Sequence, residues 1–142
     1  MKFFVRGTPV PKGSAKAFYN KHLGRAQVVQ DNAERQKPWA SAVHYTAQQA
    51  GCRPVHGAVR VELAFHMPRL KGHFRANGEV KQNAPVHHTK KPDSDKLTRC
   101  VFDALTGVAW LDDSQVADYS TRKFYSDTPG VEIEVVELAE NF

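Results

Sequence analysis

Apolar positions recur in two rhythms along this chain of 142 residues. Trp39, Ala42, Val43, Thr46, Ala47 and Ala50 are spaced by threes and fours, one face of an amphipathic helix, with Pro38 near its first turn and Gly51 just past its end. Leu97, Cys100, Val101, Ala104 and Leu105 repeat that spacing in a second helix, stopped by Gly107. Gly57 to Met67 instead alternates: Val59, Val61, Leu63 and Phe65 point one way, Arg60, Glu62 and His66 the other, as in a half-buried strand. Lys2 to Arg6 predicts a first strand, Gln115 to Tyr125 a less tidy one. Val131, Ile133 and Val135, alternating with Glu132 and Glu134, predict a last strand that follows the turn Asp127-Thr128-Pro129-Gly130 and runs antiparallel to its predecessor. The order β-α-β-loop-α-β-β predicts an α+β fold, two helices against a mixed sheet of about four strands, as one domain over 1–142.

Two stretches lack either rhythm. Gly7 to Ser14 is too rich in proline and glycine for regular structure. Lys12 lies there and Lys16, Lys21 and Arg25 follow beyond it, with Phe18 and Tyr19 between, which suits an arm that grips a nucleic-acid backbone as well as an ordinary loop. The segment 68–92 is a long basic loop carrying Arg69, Lys71, Arg75, Lys81, Lys90 and Lys91, a length that marks a functional or disordered segment. His87 and His88 are adjacent, a spacing that seldom converges on one ion, so solvated or phosphate-contacting roles are expected.

Charge sharpens this picture. The net charge of +5 divides into +12 for residues 1–92 (16 Lys/Arg against 4 Asp/Glu) and −7 for 93–142 (4 against 11). A basic first part favours nucleic acid or another acidic partner. No apolar run nears the ~20 residues that span a bilayer. Cys52 and Cys100 show no disulfide or metal spacing, so a cytoplasmic protein with no membrane partner is expected, with Cys100 a buried small hydrophobe.

Within the acidic part, Asp93 and Asp95 bracket Ser94 at the second helix's start, and Asp112-Asp113 follows its end. A single aspartate there would serve as a helix cap. Two exceed that need, and clustered carboxylates suit Mg²⁺. Asp95, Arg99 and Asp103 fall at i, i+4 and i+8 on the outer face, so Arg99 can screen carboxylates or meet a phosphate. If the Asp112-Asp113 turn folds back onto the helix start, three carboxylates can share one or two metal ions.

The strings Pro92-Asp93-Ser94-Asp95-Lys96-Leu97, Phe102-Asp103-Ala104-Leu105-Thr106-Gly107 and Trp110-Leu111-Asp112-Asp113-Ser114-Gln115-Val116 resemble the RusA family of Holliday junction resolvases, and Phe3 to Gly13 resembles the opening of its phage members. The resemblance implies a bacterial, phage- or prophage-encoded homodimer that binds four-way DNA junctions and nicks two opposed strands with Mg²⁺ or Mn²⁺. It implies Asp93, Asp95 and Asp113 as metal-binding and catalytic carboxylates, and it places the family's essential lysine at Arg99. Arginine keeps the charge but does not readily release a proton, and Lys96 stands where the family usually has Asn. Lys96 could therefore take over that role. Lys12, Lys16, Arg75, Lys90, Lys91 and Lys96 are the expected DNA contacts. The alternatives are a junction-binding protein with a degraded site, or a nuclease acting broadly on branched DNA. The final hairpin and the first strand are candidate dimer edges.

Overall fold

A computed structural model describes residues 1–13, 15–22, 24–30 and 33–139. In chain order the elements are β1 (Lys2–Arg6), β2 (Ala15–Asn20), β3 (Arg25–Gln30), α1 (Ala33–Gln49), β4 (Val59–Pro68), α2 (Ser94–Leu105), β5 (Val116–Ser126) and β6 (Gly130–Glu137). β1, β6, β4 and β5 form a four-stranded sheet in that order, and β2 pairs with β3 separately. The α+β fold with a mixed sheet and two helices is as the periodicities predict.

β4 holds a central place because both of its faces tolerate burial: Val59, Val61, Leu63, Phe65 and Met67 are buried on one face and Ala64 on the other. It pairs antiparallel with β6 and parallel with β5. The parallel pairing follows from the long connection through the 69–93 loop and α2, which carries the chain back before β5 begins. β5 and β6 do run in opposite directions, yet they are not the neighbours that the short turn suggested, because β4 lies between them. The sheet's edges are therefore β1 and β5, and β6 presents no free edge to a dimer.

The helices cover one face. Trp39, Val43 and Ala47 of α1, and Leu97, Cys100, Val101, Ala104 and Leu105 of α2, pack with Val5, Val131, Ile133 and the inward residues of β4 into one core. Each fully buried aliphatic side chain there contributes roughly 1.5–3 kcal/mol. α1 begins a turn earlier than the Trp39 stripe predicts, leaving Pro38 inside the helix, since Ala33 to Lys37 are good helix formers with Glu34 in the first turn. Asp31 lies outside the described residues.

Residues 7–13 carry no helix or strand, as expected, and the basic stretch after them forms the β2–β3 pair instead of an irregular arm. Its register runs from Ala15↔Gln30 to Asn20↔Arg25, with Gly24 at a positive φ of 65° beside the turn. The sequence hid it because Ala15 and Ala17 are too small, and Lys16 and Phe18 too unlike, to show a two-residue rhythm. The side chains of Lys16, Phe18 and Tyr19 are not among those described. The 68–92 loop has one 3₁₀ turn, Lys71–His73, and a bridge between Phe74 and Val80.

Candidate active site

α2 builds the site from its N-terminus. Asp93 is the N-cap residue, extended at φ −71° and ψ 145°, but its carboxylate makes no capping hydrogen bond. The expected structural duty of a lone aspartate is thus not performed, and among the described residues no ion pair occupies its oxygens. Asp95 stands exposed in the first turn, and Arg99 and Asp103 are exposed one and two turns on, as the i, i+4, i+8 spacing predicts. Leu97, Thr98 and Val101 turn inward. Thr98 Oγ1 donates to Ser94 O (2.8 Å) and shares a hydrogen bond with Thr121 Oγ1 of β5 (2.7 Å), which fixes the helix on the sheet.

Asp93 lines a cleft of about 590 Å³ between the Thr8–Gly13 loop and the start of α2. Lys12, Lys91 and Lys96 lie on it as well, joined by Arg35 of α1, while Met67, Pro68 and Leu70 supply an apolar side. Of the two candidates for the family's lysine, Lys96 therefore shares this cleft with Asp93, whereas Arg99 is not in its lining. Lys12 is also tied to the helix: its Nζ meets Asp103 Oδ2 at 2.5 Å and its backbone N–H donates to Lys96 O at 3.0 Å. Lys90 uses its carbonyl on Lys123, and Arg75 is exposed in the loop, where its N–H donates to Glu79 O.

The acidic turn after α2 does not fold back. Asp112 is the capping residue here, accepting from Ser114 N at 2.8 Å, and those hydrogen bonds hold its carboxyl below the ordinary range. Asp113 Oδ1 accepts from Thr106 Oγ1 (2.7 Å) and from the indole of Trp110 (3.0 Å). Thr106 is the C-cap of α2 and Asp93 its N-cap, so 12 helical residues, about 18 Å of helix at ~1.5 Å each, lie between Asp93 and the residue that holds Asp113. Among the described residues no three His, Cys, Asp or Glu side chains converge on a metal position. Asp93 lies on the cleft lining, Asp95 is exposed one residue into the helix outside it, and Asp113 is held at the helix's other end. The expectation of three carboxylates gathered by a fold-back of this turn is thus corrected: the Thr106 and Trp110 contacts hold the turn at the far end.

Arg35 and Lys123 were not expected at the site from sequence, and His88 was expected in a different environment. Arg35 is brought in by α1. His88 is buried rather than solvated, its ring centroid 5.0 Å from that of Tyr125; burial, then the nearby Lys123 charge, lowers its pKa. Lys123 of β5 donates to Lys90 O (2.7 Å) and Pro92 O (2.8 Å), the carbonyls immediately before Asp93. Its signal was available: along β5, Tyr119, Thr121, Lys123 and Tyr125 share the face that touches α2 and the loop before it, so a lysine stands at an inward register position.

The cleft thus gathers three lysines and Arg35 around an aspartate whose carboxylate makes no capping hydrogen bond. The chain belongs to the RusA endodeoxyribonuclease family: the family model, described as endodeoxyribonuclease RusA, matches residues 7–136. It is also similar to an uncharacterized protein, YqaN, of Bacillus subtilis (strain 168), 29% identical over 144 residues that span 98% of this chain and 97% of the relative. Family membership implies an endodeoxyribonuclease. No helix among the described residues is long and apolar enough to cross a membrane.

Proposed function

We propose that the protein is a Mg²⁺-dependent endodeoxyribonuclease that resolves four-way DNA junctions as a homodimer, placing paired nicks in opposed strands. The observation that carries this reading is Asp93, a helix N-cap whose carboxylate is unspent and lines a cleft of lysines. Lys91, Lys96 and Arg35 receive backbone phosphates, and Asp93 and Asp95 hold the cation. When bound, the metal supplies positive charge opposite the phosphate and a more acidic water. Mn²⁺ is the expected substitute. The third carboxylate comes from Asp113 of the partner subunit, since about 18 Å of helix separates it from Asp93 within one chain. A two-fold dimer then carries two identical sites, which suits paired nicks. Lys96 supports the reading of an active enzyme rather than a degraded one, because an amine does line the cleft beside Asp93.

The test is cleavage of a mobile synthetic four-way junction beside a fork and a linear duplex, with Mg²⁺ and with EDTA. Metal-dependent paired nicks on the junction alone are expected. Binding without nicks would make the protein a junction binder, and equal cutting of all three substrates a general nuclease.

A further inference from the structure

Lys123 spends an ammonium where the surroundings offer little reason for one. It is half-buried, it projects from β5 towards a loop already rich in Lys90 and Lys91, and removal from water pulls its pKa down while Asp93 pulls it back up. Two of its three protons go to the carbonyls of Lys90 and Pro92, at 2.7 and 2.8 Å. These carbonyls straddle Lys91, and the second belongs to the residue that leads directly into Asp93. Lys123 is itself held by its pairing with Phe65 of β4, and its own carbonyl accepts from His88 N at 3.3 Å. A rigid strand thereby reaches across and pins the main chain just ahead of the helix start. Among the described residues Lys123 makes no direct ion pair with Asp93, so the carboxylate oxygens are not consumed by it.

We propose that Lys123 is a positioning residue for the Asp93 carboxylate: by clamping residues 90–92 to β5 it fixes where that carboxylate meets a divalent cation. The proposal rests on the reading of Asp93 as a metal ligand given above. It accounts for a half-buried lysine that does not line the cleft, and it makes β5 part of the proposed metal site without contributing a ligand. Residues that orient a ligand from behind commonly set metal affinity by about 10–100-fold.

Mn²⁺ binding to the full-length protein, followed by the electron paramagnetic resonance signal of the free ion, tests this. Lys123→Met is expected to weaken Mn²⁺ binding about ten-fold or more, a larger loss than it causes in junction binding measured in EDTA. Lys123→Arg, which can still donate to both carbonyls, should recover most of the affinity. Mn²⁺ affinity unchanged in Lys123→Met, while Asp93→Asn loses it, overturns this inference and leaves the assignment of Asp93 standing. Mn²⁺ affinity unchanged in Asp93→Asn overturns both. Weaker junction binding with intact Mn²⁺ affinity would make Lys123 a DNA contact and also overturns it. Should Lys123→Met not fold, the ¹⁵N resonance of the Lys123 ammonium in the unaltered protein decides: saturating Mg²⁺ should shift it, and should not in Asp93→Asn. An unmoved resonance in the unaltered protein, with Mg²⁺ bound, overturns the proposal.

Discussion

Thr106 holds Asp113 by a hydrogen bond of 2.7 Å at the end of α2 opposite to Asp93. Because Thr106 and Trp110 both donate to Oδ1, the second oxygen of Asp113 is left to face outward from an exposed turn. The carboxylate is thus held at the end of α2 remote from Asp93 and outside the lining of its own chain's cleft. With the proposed homodimer and the partner's Asp113 completing each site, inactive subunits should complement one another. Asp93→Asn and Asp113→Asn should each be inactive alone. Mixed and allowed to exchange subunits, they should regain single nicks, because each mixed dimer has one intact pair of Asp93 and the partner's Asp113. Half of the dimers are then mixed with one good site each, so about a quarter of the normal sites return. A mixture as inactive as its components would place the whole site within one chain.

Asp93→Asn in both subunits should lower cleavage at least about 100-fold, since an amide is a poor ligand for Mg²⁺. Junction binding should stay intact or tighten, because a negative charge leaves a cleft that binds phosphates. Rate measured against Mg²⁺ concentration and binding measured in EDTA separate the two effects. Near-normal cutting at limiting Mg²⁺ would remove Asp93 from the site.

Much of this was legible in the chain and some of it could not be. The stripes of α1 and α2 and the alternation of β4 are strong because each element buries one face, and burial writes a period into sequence. Sheet order is written nowhere locally. Asp127 to Gly130 turns the chain as expected, but whether β6 then lies beside β5 or beyond β4 is decided by the competition of buried β4 for both partners. The site shows the same division. The motif around Asp93 announces carboxylates at a helix start, whereas the distance to Asp113 depends on which way a turn leaves the helix, fixed by the side chains of Thr106 and Trp110.

Lys12 was expected on DNA and is found on Asp103. If that pair restrains a phosphate-binding lysine, Asp103→Asn should free it. Junction affinity at low salt should rise several-fold, and the slope of log affinity against log salt should steepen by about 1. Lys96→Ala should do the reverse. Titrations over a range of salt concentrations check both. An unchanged slope in Asp103→Asn would show that Lys12 is a structural tie.

Cys100 is 1% exposed, and burial, reinforced by the charge of Asp103, pushes its thiol up to about 11. At pH 8 its thiolate fraction is therefore about one in a thousand. Disulfide reagents should leave Cys100 unmodified in the folded protein and react with it at once in denaturant. The folded pKa lies above that of the free thiol, so the stability linked to this group is whole below the free-thiol range and declines as pH climbs from there towards about 11. Rapid modification of Cys100 at pH 8 under native conditions would contradict the packing of α2.

Gln115 shows how the acidic turn is held in place. Its Oε1 accepts from Leu111 N and Asp112 N, both at 2.8 Å, while its Nε2 donates to Val55 O (2.7 Å) and Gly57 O (2.8 Å). One amide thus joins the turn that displays Asp113 to the segment leading into β4. Gln115→Glu keeps the acceptor and removes the donor, setting a carboxylate against two carbonyls in a half-buried place. At neutral pH this should cost about 1–3 kcal/mol. Repulsion from the carbonyls raises the folded pKa of the new carboxyl above its unfolded value. The lost stability should therefore return as pH falls through that raised value, when a protonated carboxyl can again donate to one carbonyl. Gln115→Ala, with no group to protonate, should show no such recovery relative to the unaltered protein. Thermal unfolding of all three proteins at pH 8 and pH 5 makes the comparison. On the proposed role of Asp113, cleavage by Gln115→Glu at pH 8 should fall as well, because the amide that ties the turn bearing Asp113 to Val55 and Gly57 is lost. Equal stability of Gln115→Glu and the unaltered protein at pH 8 would mean that the amide does not bind those carbonyls in solution.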